Sequence, residues 1–122
     1  MNVSLRDLAR FGHLILKGGS NGAHKAFRPE WVARTRAGAS ADLMRGTDFA
    51  ARYPEGSYRA QWWLSGNDRG TFFGAGIYGQ FLWIDPATDL VIAKLSSLPE
   101  ALGPAVTVAH HRAFAAIAES LD

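Results

Sequence analysis

A glycine cluster, an adjacent tryptophan pair, an adjacent histidine pair and a few serines are the residues of this chain whose types could do chemistry. Gly74-Ala75-Gly76-Ile77-Tyr78-Gly79-Gln80 falls where one predicted strand ends and the next begins. Glycines at such a place permit a sharp turn or a close approach of backbone to a ligand. N–H groups left free in the turn can bind an anion or a developing oxyanion. A hairpin connection that needs glycine only for its geometry explains the same residues, and on residue types alone it is the more economical account. Gly74-x-Gly76-x-x-Gly79 also has the spacing of a dinucleotide fingerprint, but no helix follows and no βαβ unit surrounds it, so that chemistry is excluded.

Trp62 and Trp63 are neighbours on a predicted strand, so their rings point to opposite faces. Core packing accounts for either ring, and one of them could also line a ligand pocket. His110 and His111 are neighbours on a predicted helix and diverge by about 100°, which rules out the shared metal that an i,i+4 pair could hold. His13 and His24 have no acidic or histidine partner at ligand spacing, so no metal and no cofactor is expected. Gly-x-Ser-x-Gly, Ser-x-x-Lys and Tyr-x-Asn are all absent. Ser65-Gly66-Asn67 matches Ser-x-Asn formally but reads as a turn after a strand. Ser96 or Ser97 with His110 and an acid is the weakest reading, an independent triad with no supporting motif.

The elements that must position these residues follow from patterning. Ser4 with Asp7 three residues on starts a helix, Leu5, Leu8, Gly12, Ile15 and Leu16 share its apolar face, and Gly18-Gly19 stops it. Ser20 to Arg28 is a polar loop, and Pro29 opens a short helix through Thr35 anchored by Trp31. Gly38 to Gly56 is irregular, with room for one helical turn. Tyr58–Leu64, Thr71–Ala75, Gln80–Ile84 and Leu90–Leu95 read as strands, the last two joined as a hairpin by the Asp85-Pro86 turn. Their nearly continuous apolar character implies burial on both sheet faces. A final helix follows Pro104, with Val106, His110, Ala113, Phe114, Ile117 and Leu121 as its stripe. The fold class is α+β: an antiparallel sheet with flanking helices. Residues 1–57 form a helical and loop segment, and residues 58–122 form the strands and the last helix.

Composition bounds the partners. The chain has 122 residues, no cysteine and a formal charge of +2, with ten Arg and three Lys scattered singly. Disulfides and thiol chemistry are excluded, and no concentrated phosphate-facing patch points to nucleic acid. No run reaches the ~18 apolar residues of a membrane span. Met1-Asn2-Val3-Ser4 lacks a basic region followed by an apolar one, so no signal peptide is visible and a cytoplasmic location is expected.

Five segments in this order resemble one family. Residues 4–12 (Ser-Leu-Arg-Asp-Leu-Ala-Arg-Phe-Gly), 61–64 (Gln-Trp-Trp-Leu), 76–80 (Gly-Ile-Tyr-Gly-Gln), 83–86 (Trp-Ile-Asp-Pro) and 91–97 (Val-Ile-Ala-Lys-Leu-Ser-Ser) look like the C-terminal part of β-lactamase-related serine hydrolases. The nearest group is the 6-aminohexanoate-dimer hydrolases. The resemblance implies acyl-enzyme hydrolysis of a small-molecule amide or ester, with the nucleophile and base supplied from parts this chain lacks. It gives the oxyanion-hole role to the backbone N–H of Ile77, next to Gly76, and substrate contact to Tyr78, Gln80 and Trp62. It sets Thr107 where some relatives carry a pocket histidine, with His110 the nearest substitute. The chain is therefore expected to be a single partial domain, inactive alone, that pairs with itself or with a missing N-terminal part. The alternative is a non-catalytic binding or complementing module that docks through an exposed sheet edge.

Overall fold

Ser4 opens the first helix as its sequence demands. The computed structural model describes residues 3–122; Met1 and Asn2, the start of the stretch read for a leader, lie outside the described residues. Helix α1 spans Leu5–Leu16, and the Ser4 hydroxyl accepts the Asp7 N–H (3.2 Å) while donating to the Asp7 carboxylate (2.7 Å). That hydrogen bond, with help from Arg10, holds the Asp7 carboxyl below its usual range. Gly18 and Gly19 take positive φ (72° and 86°) and end the helix, with the Gly19 N–H returning to the Leu14 carbonyl. Gly12, Ile15 and Leu16 are buried, whereas Leu5 is exposed.

The polar stretch after α1 is not a plain loop. It holds two-residue strands β1 (Ser20–Asn21) and β2 (His24–Lys25), paired around Gly22. Helix α2 (Pro29–Arg36) has proline in its first turn, as expected, but Val32 and Thr35 are its buried anchors and Trp31 is only half-buried. The irregular stretch contains a 3₁₀ turn at Ala41–Met44 and a short helix α3 (Asp48–Arg52) capped by the Thr47 hydroxyl.

Tyr58–Leu64 is a hairpin rather than one strand. β3 (Ser57–Arg59) pairs with β4 (Trp62–Leu64), and Ala60 and Gln61 both take positive φ (48° and 71°) between them. That is the two-residue turn whose twist suits a hairpin. It escapes a sequence reading because neither residue is glycine, asparagine or aspartate. β5 (Phe72–Gly76), β6 (Gln80–Asp85) and β7 (Leu90–Lys94) continue the sheet, which runs β3-β4-β5-β6-β7 with every neighbour antiparallel. The α+β class and the β6–β7 hairpin follow the sequence reading.

Alternation splits the strands between two cores. Phe72, Leu82 and Ile84 join Ile15, Leu16, Val32, Trp62 and Leu64 on one face, beneath α1 and α2. Phe73, Phe81 and Trp83 meet Phe114 on the other, with Phe49, Tyr53 and Trp63 around them. The last helix, α4 (Pro104–Glu119), buries His111, Phe114 and Ala118. The expected stripe is thus rotated: Val106, Ile117 and Leu121 are exposed, because the sheet face offers aromatic edges to the imidazole side of the helix. Buried Asp85 locks the far end of the sheet. Arg69 reaches it through Nε (2.9 Å) and also holds Asp122 and the Ala118 carbonyl at the end of α4. Burial alone would raise the Asp85 carboxyl, but Arg69, Thr71 and Thr88 outweigh it and keep it below the usual range.

Candidate functional site

The glycine cluster is the turn between β5 and β6. Gly76 pairs with Gln80, and Ile77–Gly79 forms one 3₁₀ turn. Tyr78 sits in the left-handed region (φ 58°, ψ 27°), a conformation that costs a non-glycine residue about 1–3 kcal/mol. Gly79 follows at φ 75°, and a Cβ there would lie 2.5 Å from Leu98 Cδ1 and 2.9 Å from Ser96 Oγ. Glycine is required at 79 for both reasons. At Gly74 a Cβ would meet nothing within 4 Å.

The turn is held from the segment after β7. The Tyr78 N–H donates to the Ala101 carbonyl (3.0 Å), and the Leu98 N–H donates to the Tyr78 carbonyl (3.3 Å). The Ile77 N–H donates to no group among the described residues. The neighbouring backbone is open too. β4 pairs with β5 only as far as Trp63↔Phe73, and the β3–β4 turn then leads it away. In an antiparallel ladder, alternate residues direct their N–H and C=O to opposite sides. With Gly76 and Gln80 closing the hairpin, Ala75 turns its backbone groups away from β6, toward the edge that β4 has vacated.

Beside this edge lies a cavity of about 460 Å³, lined by Gly76, Ile77, Ala75, Thr107 and His110, and by the rings of Phe49, Trp63, Phe73 and Phe81. Asp48, Arg52 and Glu100 also line it. Its inner wall is His111, 94% buried, whose Nδ1 lies 2.8 Å from the Tyr53 hydroxyl. Burial pushes the Tyr53 phenol up to about 12. It pushes His111 down to about 4, with the Arg52 and His110 charges adding to the effect. Both groups are therefore neutral at pH 7. Phenol and neutral imidazole share one proton across this contact, and the imidazole tautomer sets which of them donates. The His111 Nε2 has no hydrogen-bond partner among the described residues, and the rings of Phe73, Phe81 and Trp83 stand edge-on to the imidazole. Among the described residues no group of three or more His, Asp or Glu gathers as a metal site. No helix there is long and apolar enough to cross a membrane.

The structure brings Gly76 and Ile77 to the cavity, together with Thr107 and His110. It does not bring Tyr78, which is exposed on the outside of the turn, or Gln80. Trp62 is 6% exposed and belongs to the core beneath α1; its neighbour Trp63 lines the cavity instead. The reason is parity: Trp62 shares a face with Leu64 and Phe72, and Trp63 shares one with Phe73. Ser96 is hydrogen-bonded to Lys94 Nζ (2.7 Å) and not to His110, so a Ser96–His110 triad is not assembled. Phe49, Tyr53 and His111 escaped the sequence reading. Phe49 and Tyr53 lie in a stretch without periodicity, and the triad and pocket readings of the histidine pair fall on His110, whereas α4 turns His111 inward.

Three comparisons bear on this site. The family model described as Beta-lactamase matches residues 1–117. The chain is 46% identical over 100 residues to a 6-aminohexanoate-dimer hydrolase of Paenarthrobacter ureafaciens, covering 82% of this chain and 26% of that protein. A solved Bacillus anthracis structure described as a 6-aminohexanoate-dimer hydrolase superposes with a TM-score of 0.80 at 28% identity, covering 98% of this chain and 29% of that one. The chain thus spans about a quarter of the length of the relatives it matches.

Proposed function

The chain belongs to the β-lactamase family, and from that premise we propose that it is the C-terminal, oxyanion-stabilising portion of a serine hydrolase acting on small amides or esters. The observation that carries this is the Ile77 amide: unpartnered, beside a vacated strand edge, at an aromatic cavity. Acyl transfer needs a preorganised donor where the carbonyl oxygen becomes negative. In the proposed reaction a serine outside this chain attacks the carbonyl, and the oxyanion accepts the Ile77 N–H. The leaving group then departs, and water releases the acyl group from the serine. Ala75 would hydrogen-bond the substrate backbone along the open edge, and Trp63, Phe49 and Phe81 would enclose its apolar part. Tyr78, Gln80 and Trp62 lie off the cavity and have no part in this reading.

The chain alone lacks a Ser-x-x-Lys nucleophile and base, so it is inactive without the complementary part. The test is hydrolysis of p-nitrophenyl butyrate and of the 6-aminohexanoate dimer. The chain alone should show none. Joined to the N-terminal three quarters of the Paenarthrobacter ureafaciens relative, it should hydrolyse at least one. In that joined enzyme Ile77→Pro, which deletes the amide proton, should lower kcat about 10²–10³-fold. Gly76 is already extended (φ −116°, ψ 162°), the conformation a following proline requires, so the substitution is tolerated locally. Turnover by the chain alone, or full kcat in Ile77→Pro, would end this reading.

The second reading is a non-catalytic complementing module. It is favoured by the outer edge of β7, which no strand pairs among the described residues. Light scattering behind size exclusion separates the two states: a plain monomer at tens of micromolar speaks against self-association through that edge.

A further inference from the structure

The turn that presents the Ile77 amide is gripped by side chains from outside the hairpin. Lys94 Nζ donates to the Gly79 carbonyl (2.8 Å) and to Ser96 Oγ (2.7 Å). Ser96 Oγ lies 2.8 Å from both the Tyr78 and the Gly79 carbonyls, to which its proton can donate. No carboxylate pairs with Lys94 among the described residues, so its charge is spent on a backbone carbonyl and a hydroxyl. Tyr78 holds a left-handed conformation it does not favour, and such a conformation persists only where its surroundings over-determine it. The peptides after Ile77 are each fixed: 77–78 by the Tyr78 N–H on Ala101, 78–79 and 79–80 by Ser96 and Lys94 on their carbonyls. The donor left over is the Ile77 N–H.

We infer that Lys94 and Ser96 are positioning residues, an ammonium–hydroxyl clamp that fixes the direction of the Ile77 amide by holding the Tyr78 and Gly79 carbonyls behind it. The inference rests on the oxyanion reading above and deepens it. Neither side chain touches substrate. They act by keeping the donor aligned before the charge develops, where a misplacement of about 1 Å can cost about 100-fold in rate. The Ser96 hydroxyl sits between the cation and the two carbonyls, accepting from the ammonium and sharing its one proton between the carbonyl oxygens, which alanine cannot do.

The test uses the joined enzyme described above. Ser96→Ala and Lys94→Met should lower kcat about 10- to 100-fold with KM within about twofold, as expected when only transition-state alignment is lost. Ser96→Thr, which keeps the hydroxyl, should restore most of kcat. Amide hydrogen exchange at Tyr78 should quicken in Ser96→Ala and not in Ser96→Thr. A kcat unchanged in both Ser96→Ala and Lys94→Met overturns the clamp. So does a loss that merely follows the folded fraction and is not rescued by threonine. Ile77→Pro separates the two ideas. Full activity there sinks the oxyanion reading, whereas loss there with none in Ser96→Ala and Lys94→Met sinks the clamp alone.

Discussion

The two faces of the sheet are made by the same strands and do opposite things. Beneath α1 and α2, Ile15, Leu16, Val32, Trp62, Leu64, Phe72, Leu82 and Ile84 close into an apolar core, with the Arg36 guanidinium lying over the Phe72 ring 5.6 Å from its centroid. Beneath α3 and α4, aromatic rings surround His111 and Tyr53, and a cavity opens toward Ile77. Among the described residues, the three buried side-chain nitrogens without partners, on Trp83, His110 and His111, all lie with these aromatic residues. Aliphatic side chains from α1, α2 and the strands interleave with Trp62 and Phe72 on the first face. On the second face the rings of Phe49, Trp63, Phe73 and Phe81 line an open cavity, and the buried His111 stands among them. One face is stability and the other is a pocket, and the strand period of two assigns residues to each.

That contrast can be broken from its firmest side first. Phe72 is 1% exposed, and Phe72→Ala should cost about 3–5 kcal/mol, read as a fall in the urea midpoint with little change in slope. Trp63→Ala, on the pocket side and half-buried, should cost clearly less while enlarging the cavity. Equal losses would mean that the second face is as closed as the first.

The pocket face alone should respond to mild acid. His111 ionises near 6.5 when unfolded and near 4 when folded, so the unfolded chain binds more protons between those values. Its contribution is therefore whole above about pH 6.5 and is lost as pH falls toward 4, on the order of 3 kcal/mol. Urea midpoints measured across that window should slope downward with acid, and His111→Phe should flatten the slope.

Two smaller effects sharpen the comparison of the covering helices. Helix α1 lies so close to the sheet that a Cβ at Gly12 would sit 2.6 Å from Val91 Cγ1 and 2.8 Å from Leu82 Cδ1. Gly12→Ala should cost about 1–3 kcal/mol through overpacking, despite alanine's better helix propensity; a neutral result would show that the face is loosely packed. Helix α4 starts at Gly103 with no side-chain cap, whereas Ser4 caps α1. Gly103→Ser should add a few tenths of a kcal/mol, visible as a small rise in Tm. A larger gain would mean that the start of α4 is frayed.

Much of the frame was legible in the chain. The Ser4 cap, the Gly18-Gly19 stop, the β6–β7 hairpin and the burial of β6 on both faces are local or periodic signals, and each appears where the pattern puts it. The failures are equally local in cause. The Ala60-Gln61 turn carries no turn residue, so β3 and β4 read as one strand. On α4, alanines and histidines make the apolar stripe nearly degenerate around the helix, and the buried side settled on His111 rather than Val106 and Ile117.

The candidate site divides along the same line. The glycine cluster announced a backbone feature at residues 74–80, because glycine is needed where φ is positive and side chains crowd, as at Gly79. Alternation determined that Trp62 and Trp63 would part company. Which of them lines the pocket, which histidine hides behind it and which amide stays unpartnered were decided only by tertiary structure. Those outcomes depend on residues 30 and more positions apart, such as Tyr53 with His111 or Phe49 with Phe81, and no local pattern encodes the direction from which a partner arrives. The clamp is the one exception of scale: Lys94 and Ser96 are neighbours in a strand end, but they have meaning only because the sheet folds Tyr78 and Gly79 against them.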